Sequence, residues 1–279
     1  MNFKLTQDHE AIIADVRAFA KKEIAPFAEE IDRESKFPAE IIAKMAELGY
    51  MGINVPEEYG GAGLDDVYKA LVVEEIAKYC ASTAEILAVH ALVSDIIIRK
   101  GTKEQKEKYL PMAAAGKLGA FALTEAGAGS DASAAKTKAL ADGDNYIING
   151  SKCFISNMGP DEGDYVVLIA LTDPSAGTKG MSAIIVDRNT PGFSIGKVED
   201  KMGLRGAAVS ELILEDCIVP KSNLIGKEGE GFKIAMAALD GGRIGIAAQA
   251  VGISEAAIDA SVEYSKQRTQ FGKPISAIQ

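Results

Sequence analysis

Apolar residues in the first part of the chain recur every three to four positions, the spacing that places them on one face of an α-helix. The first such segment follows Thr6, which can cap a helix, and has acidic residues in its opening turn. Segments with the same spacing begin near Pro38 and cover 67–79, 82–100 and 103–115. We therefore predict that residues 1–117 form a helical domain.

The pattern changes after Lys117 to short runs in which apolar and β-branched residues alternate or cluster. Turn-forming clusters rich in Gly, Asp, Asn and Pro separate these runs. The predicted strands are 119–124, 145–149, 165–172, 181–187 and 209–214. Because no helix-length segment alternates with them, a doubly wound parallel sheet is disfavoured. Residues 118–228 are predicted to form an antiparallel β domain, a small barrel or sandwich.

Helical spacing returns after a glycine-rich loop at 226–231. Residues 232–254 and 255–267 are rich in Ala, Ile and Met, so two further helices are predicted there. They begin a second helical domain, residues 229–279, and give the chain an α+β multidomain order. Because two amphipathic helices cannot bury their faces alone, we expect this domain to be incomplete and to need partner chains or a further segment.

The composition is that of an ordinary globular protein, with 279 residues, 47% hydrophobic and 25% charged. A net charge of -10 disfavours nucleic acid and anionic membrane surfaces as main partners, since both reward a basic surface. The first residues carry neither a signal-peptide core nor transit character, and no later run is expected to approach membrane-spanning length. A cytoplasmic location is expected.

Cysteine and histidine offer little material for metal or nucleophilic chemistry. Cys80, Cys153 and Cys217 are far apart and include no Cys-x-x-Cys pair, so neither a disulfide framework nor a zinc site is indicated. His9 and His90 are the only two histidines, and each is interpreted as a surface or helix-packing residue. No metal site is predicted.

The stretch most suited to ligand chemistry is 121–131, FALTEAGAGSD, a short apolar run that leads into a Gly-rich turn. Such a turn offers bare amides and hydroxyls and suits a flat ring with a phosphate tail. A Gly-x-Gly turn alone is more often only a turn. Similarly, Phe154 in the run 154–156 could simply be a core strand residue.

Two later stretches also combine polar groups with helix-breaking residues. Asp240 and Arg243 share a helix face at i, i+3 spacing, where they could bind a ligand or form a surface ion pair. The glycines around them cost roughly 1 kcal/mol each in a helix interior, which indicates close approach by a ligand or by a neighbouring helix. Residues 267–274, QRTQFGKP, are predicted to be a loop between two long helices.

Three of these motifs resemble signatures of the acyl-CoA dehydrogenases: TEAGAGSD at 124–131, LDGGR at 239–243 and QRTQFGKP at 267–274. They are most similar to the short-chain, butyryl-CoA-type members and occur in the family's order. The resemblance implies FAD as the cofactor and an acyl-CoA as the substrate. The cofactor contacts that it implies are Phe121, Leu123, Thr124, Gly129, Ser130, Phe154, Ile155, Ser156, Arg268, Phe271 and Gln279. The implied substrate contacts are Ser130, Asp240, Gly241, Gly242 and Arg243.

The resemblance gives these residues distinct expected roles. The turn around Ser130 would meet the pyrophosphate, and the Ser156 hydroxyl would replace a family threonine that hydrogen-bonds flavin N5. Arg268, Phe271 and Gln279 would reach the FAD of a neighbouring subunit, with a guanidinium suited to pyrophosphate. Ala126 stands where relatives commonly have Pro, which should loosen the entry to the turn without removing a contact group.

The catalytic base that the resemblance leads us to expect is absent from the sequence. Most members of the family have their glutamate far downstream, whereas the isovaleryl and long-chain branches have it at the position that is Gly242 here. Asp240 and Glu125 fall at places that the pattern gives to CoA contact or turn structure. We therefore expect no catalytic residue within this sequence, and a base downstream of Gln279 in a segment that was cut off or lost.

The resulting hypothesis is FAD-dependent α,β-dehydrogenation of a short-chain acyl-CoA, butyryl-CoA to crotonyl-CoA, with electrons passed to an electron-transferring flavoprotein. A homo-oligomer is expected, either a tetramer or a dimer of dimers. The alternative is a truncated, non-catalytic FAD- or CoA-binding module or scaffold. A more distant alternative is a flavin oxidase or monooxygenase on the same framework.

Overall fold

The computed structural model describes residues 4–279. Helix α1 (Gln7–Phe19) begins at Thr6, whose hydroxyl accepts a hydrogen bond from the His9 amide, while the His9 ring accepts one from the Thr6 amide. This reciprocal cap confirms the predicted start of the helix. The chain continues through a π-helical turn at Ala20–Ile24 and a 3₁₀ turn at Ala25–Phe27.

The remaining helices of the N-terminal part pack around one apolar cluster, except the last, which packs in a second cluster with residues of the sheet. They are α2 (Ala28–Arg33), α3 (Ala39–Glu47), α4 (Asp66–Ala77), α5 (Ala81–Lys100) and α6 (Lys103–Ala114). The helices predicted for the N-terminal part are therefore confirmed.

Helix α5 is the central helix of this part. It is 20 residues long, with a mean hydropathy of 1.6 in its most apolar window, so by length and composition it could cross a membrane. The expectation that no run approaches this length is wrong. However, 67% of the window is buried inside the protein, as in the core helix of a globular domain.

The middle part is a sheet of eight strands in the order β6-β7-β3-β2-β4-β5-β8, with β1 paired to β4. The strands are β1 (Gly119–Ala122), β2 (Lys138–Asp142), β3 (Asn145–Ser156), β4 (Tyr165–Leu171), β5 (Met181–Asp187), β6 (Phe193–Val198), β7 (Val209–Pro220) and β8 (Leu224–Ile225). The sheet is mainly antiparallel, and the pairs of β4 with β1 and with β2 are parallel.

Strands β4 and β5 are buried on both faces, which explains why each reads as a nearly continuous apolar run. Val166 and Leu168 of β4 face a cluster shared with β3 and β7. Val167 and Ile169 face a second cluster that includes residues of α5 and α6. The sheet therefore separates two cores, and helices cover one of them.

The C-terminal part is a single helix, α7 (Gly231–Gln267), of 37 residues. The predicted division into two helices at Ser254 is wrong: the helix continues through Gly252, which packs closely against the Glu74 carbonyl of α4. The loop predicted at 267–274 contains a short hairpin, β9 (Thr269–Gln270) and β10 (Lys273–Pro274). Beyond residue 254 most positions of the chain are exposed, including apolar Ile258, Val262 and Tyr264.

Candidate functional site

A cleft of about 960 Å³ lies where α5 and α7 face the ends of β1 and β3. It brings together residues that are far apart in the sequence. The predicted site residues that line it are Phe121, Leu123, Thr124, Gly129, Ser130, Phe154, Ile155, Ser156, Gly242 and Arg243. The structure thus collects most of the predicted flavin stretch and part of the LDGGR motif around one space.

The other predicted site residues lie outside this cleft. Asp240 is exposed and accepts a 2.6 Å hydrogen bond from Arg243, as in a surface ion pair. Gly241 lines two smaller cavities. Arg268, Phe271 and Gln279 are exposed at the end of the chain, and Phe271 is 91% exposed. These three do not reach the cleft of their own chain.

Helices α5 and α7 run side by side in opposite directions along the cleft. At one end, the side-chain amide of Gln249 donates a 2.8 Å hydrogen bond to the carbonyl of Ala81. At the other end, a Cβ added to Gly242 would lie 2.6 Å from the Leu92 side chain. The two helices are therefore close at position 242, although an added side chain would meet only the flexible end of Leu92.

The Gly-rich turn is held from behind by a buried lysine. The Lys152 side chain is fully buried, and its Nζ donates to the carbonyl of Leu123 at 3.0 Å and to Glu125 Oε1 at 2.7 Å. Glu125 also accepts hydrogen bonds from the amides of Lys136 at 2.7 Å and Thr137 at 3.0 Å. These four contacts tie the turn to the start of β2, to β3 and to the end of the Phe121 strand.

The electrostatics of this pair follow from its burial. Burial works to raise the pKa of Glu125, but the hydrogen bonds from Lys152 and from the Lys136 amide outweigh it and leave the pKa lowered. Burial lowers the pKa of Lys152, and the charge and hydrogen bond of Glu125 oppose that change. The Glu125 carboxylate is thus engaged in holding the turn.

A β-bulge directs the aromatic side chain of Phe154 into the cleft. The register of β3 against β7 shifts between Lys152 and Ile155, so the intervening residues have no direct partner. Phe154 has φ +60°, which is strained for a residue with a side chain, and it is 64% exposed. Ile155 points into the core, and Ser156 returns to the cleft wall. Backbone strain that displays a large aromatic side chain is typical of a ligand site.

The polar groups of the cleft are free to bind a ligand. Within residues 4–279, the hydroxyls of Thr124 and Ser130 and the amides of Gly129 and Ser130 have no hydrogen-bond partner. All of these residues line the cleft. Unpaired amides and hydroxyls beside an exposed aromatic ring fit a planar ring system with a diphosphate group.

Glu85 is a cleft residue that the sequence reasoning missed. It lies on α5 and lines the cleft beside Ala88 and Val89. Burial raises the pKa of its carboxyl group, and a hydrogen bond with Ser156 opposes this effect. The signal was present in the sequence as an acidic residue within an apolar helix, at the spacing of that helix face.

His90 is held in the core by hydrogen bonds, and the three cysteines form no disulfide bond within residues 4–279. His90 is buried, its Nε2 lies 3.1 Å from the carbonyl of Ala113, and its Nδ1 accepts a hydrogen bond from the Gly119 amide. Burial lowers the pKa of His90 to about 4. The three cysteines are free thiols. Residues 4–279 contain no group of three or more His, Cys, Asp or Glu side chains that could hold a metal ion.

Two bacterial proteins are similar to this chain over its full length. It is 55% identical over 282 residues to the acryloyl-CoA reductase (NADH) of Anaerotignum propionicum, covering 100% of this chain and 71% of the relative. It is 50% identical over 281 residues to the short-chain specific acyl-CoA dehydrogenase of Clostridium acetobutylicum, covering 100% of this chain and 74% of that protein.

Solved structures share the fold. A chain in the structure of the electron transferring flavoprotein of Acidaminococcus fermentans matches with a TM-score of 0.97 and 51% identity, covering 100% of this chain and 73% of that one. The butyryl-CoA dehydrogenase of Megasphaera elsdenii matches with a TM-score of 0.96 and 45% identity, covering 100% and 74%.

Family models match the chain in three consecutive segments. The N-terminal domain of acyl-CoA dehydrogenases matches residues 6–117, the middle domain 120–217 and the C-terminal domain 229–279. Together with the relatives, these matches establish that the chain belongs to the acyl-CoA dehydrogenase family.

Proposed function

We propose that the cleft binds FAD and a short-chain acyl-CoA and serves α,β-dehydrogenation, with butyryl-CoA to crotonyl-CoA as the reaction. The observation that carries this proposal is the convergence, in one cleft, of unpaired donors at Thr124 and Ser130, an exposed aromatic ring at Phe154 and a cation at Arg243.

We divide the chain into an N-terminal helical domain (1–117), a flavin-binding β domain (118–228) and part of a C-terminal helical domain (229–279).

FAD is the cofactor of this family, and when bound it supplies the acceptor for the hydride that leaves Cβ of the thioester. In our proposal Thr124 hydrogen-bonds the flavin ring, and the neighbouring strand residues Phe121 and Leu123 lie along the edge of the ring. Gly129 and Ser130 bind the diphosphate. Phe154 and Ile155 cover the ring, and the Ser156 hydroxyl hydrogen-bonds its N5 atom. The buried pair behind the turn keeps these donors in place.

For the substrate, Arg243 and Asp240 are proposed to bind the CoA nucleotide. Gly241, Gly242 and Ser130 would lie beside the rest of the CoA molecule. Breaking the ion pair between Arg243 and Asp240 costs little, because both side chains are 73% exposed. The apolar walls exclude water from the acyl group, which favours removal of its α proton by a carboxylate.

We propose that this carboxylate lies downstream of Gln279. The Glu125 carboxylate accepts three hydrogen bonds, and Asp240 is paired with Arg243. Asp131, on the cleft wall, accepts hydrogen bonds from the amide and hydroxyl of Ser133. Glu85 lies near Ser156, on the side where the ring is proposed to lie, whereas the base must approach from the opposite side of the substrate.

The exposed apolar residues of α7 support assembly into a homo-oligomer, a tetramer or a dimer of dimers. There Arg268, Phe271 and Gln279 would complete the FAD site of a neighbouring chain. The similarity to a chain in an electron transferring flavoprotein structure supports such a flavoprotein as the electron acceptor. We place the protein in the cytoplasm.

A second candidate is the reverse reaction, reduction of a short-chain 2-enoyl-CoA. The relative that is 55% identical is an acryloyl-CoA reductase, and both directions use the same cleft. The direction depends on the electron partner and on the relative stability of bound substrate and product, and not on a different set of contacts.

The test is anaerobic titration of the purified flavoprotein, followed by its visible absorbance. Butyryl-CoA should bleach the oxidised protein, and crotonyl-CoA or acryloyl-CoA should restore the colour of the dithionite-reduced protein. Electron-transferring flavoprotein and NADH are then added separately to show which partner sustains turnover.

Other outcomes identify the alternatives. A yellow protein that no thioester bleaches is a non-catalytic binding module, and rapid recovery of colour in air identifies an oxidase or monooxygenase. A protein that binds no FAD when purified or when supplied with it contradicts the proposal.

A further inference from the structure

We propose that Glu85 determines substrate specificity: its carboxyl group selects CoA thioesters whose acyl chain ends in a hydrogen-bond donor, a hydroxyl or an ammonium group. The inference rests on the proposed function, because it requires an acyl-CoA to occupy the cleft.

Glu85 and Arg243 lie at different levels along the cleft. The contacts of Gln249 with Ala81 and of Gly242 with Leu92 fix the antiparallel register of α5 and α7. At about 1.5 Å per residue, the helical rise from Glu85 to Leu92, the level of Gly242, is about 10 Å. Because Arg243 suits the anionic nucleotide, we assign the acyl group to the level of Glu85.

The surroundings of Glu85 are apolar. On α5 the cleft wall continues with Ala88 and Val89, and α7 contributes Ala247 and Ala250. Among the ion pairs found within residues 4–279, none involves Glu85. The nearby Ser156 hydroxyl works to lower the pKa of its carboxyl group. A carboxyl group placed here is partly buried and has no cation beside it.

This arrangement leaves hydrogen-bonding capacity that faces the cleft. A carboxylate has about four lone-pair sites, and the Ser156 hydroxyl, which in our proposal donates to flavin N5, leaves those of Glu85 to other partners. An unsubstituted alkyl chain would displace the remaining water without replacing its hydrogen bonds, which disfavours binding. A terminal hydroxyl would replace one of those bonds, and an ammonium group would also supply the missing positive charge.

Asp131, the other carboxylate on the cleft wall, does not share this property. It is exposed to solvent, and both hydrogen bonds that it accepts from Ser133 go to its Oδ1 atom, so the rest of its carboxylate stays hydrated. Glu85 is therefore the residue that distinguishes acyl chains by their terminal group.

The experiment compares three unreactive CoA thioethers, S-butyl-CoA, S-(4-hydroxybutyl)-CoA and S-(4-aminobutyl)-CoA, by isothermal titration with the FAD-loaded protein. Thioethers neither turn over nor cyclise, so the result does not depend on the catalytic base. Wild-type protein should bind both substituted ligands about tenfold more tightly than S-butyl-CoA. Glu85→Leu should reverse this order, and Glu85→Gln should keep a preference for the hydroxyl ligand and lose that for the ammonium ligand.

Glu74→Gln is the matched control. Burial also raises the pKa of Glu74, but this residue lies on α4, outside the cleft lining, so its variant should keep the wild-type order of affinities. The visible spectrum of bound flavin reports whether each variant is folded. If no thioether binds wild-type protein, the proposed function itself fails. If S-butyl-CoA binds as tightly as the substituted ligands, or if Glu85→Leu keeps the wild-type order, the inference about Glu85 is wrong.

Discussion

Lys152 Nζ lies 2.7 Å from Glu125 Oε1, and the Lys152 side chain is fully buried directly behind the turn that is proposed to bind the FAD diphosphate. The same ammonium group holds the Leu123 carbonyl at 3.0 Å. A charged pair in this position costs desolvation, so its benefit is geometric: it fixes a Gly-rich turn that has few contacts of its own. This relationship links local stability to cofactor binding.

Replacing Lys152 by methionine should therefore damage both properties. The substitution leaves the Glu125 carboxylate buried without its cation, so we expect a loss of about 3 kcal/mol in the free energy of unfolding, measured with urea. Flavin content should fall as well. Lys36→Met is the control, because its 2.6 Å pair with Glu30 is on the surface and should contribute nothing measurable. Equal effects of the two substitutions would contradict this role for Lys152.

Acid should destabilise the protein through His90. Its pKa in the folded protein is about 4, below the ordinary value of 6.5, so the unfolded chain takes up the proton more readily. Stability from this group is present above pH 6.5 and is lost as the pH falls toward 4, by about 3 kcal/mol in total. Denaturant unfolding across this range measures the loss. His90→Gln should flatten the dependence, and an unchanged slope would exclude His90 as its source.

The strained backbone at Phe154 predicts an opposition between stability and binding. Glycine tolerates φ +60°, so Phe154→Gly should leave the FAD-free protein as stable as wild type, or more stable by up to about 1 kcal/mol. Its affinity for FAD should fall because the aromatic cover is lost. Ser35→Gly, at φ 52° and outside the cleft lining, should relieve strain with no change in flavin affinity. If Phe154→Gly bound FAD normally, the aromatic side chain would have no part in the site.

Arg268 should act on the flavin of a second chain. It is exposed and lies outside the cleft of its own chain, so Arg268→Ala should lower FAD affinity about tenfold through loss of a charged hydrogen bond between subunits. Mixed oligomers of Arg268→Ala with Phe154→Gly should regain part of the wild-type affinity, since some sites then receive neither substitution. Absence of any recovery on mixing would indicate that both residues act within the same chain.

The order of helices, strands and helices followed from the sequence because hydrophobic periodicity reports the burial of each element directly. The Thr6 cap and the buried runs of β4 and β5 are examples. Strands β2 and β6 were missed because most of their residues are exposed, so their positions depend on pairing with β3 and β7. The break expected at Ser254 was not found, because close packing of Gly252 against α4 keeps the helix continuous.

For the candidate site, the sequence by itself determined the family motifs and the types of chemical group they contain. Only the tertiary structure decided which of those groups share a cleft, since that depends on how α7 packs across α5 and on a bulge in β3. The close approach of α7 to α5 at Gly242, the buried support of Lys152 behind the turn and the position of Glu85 on the cleft wall all depend on contacts between distant segments. Spacing along a chain specifies a helix face or a strand face, but the partner that meets that face is selected by the packing of the whole domain.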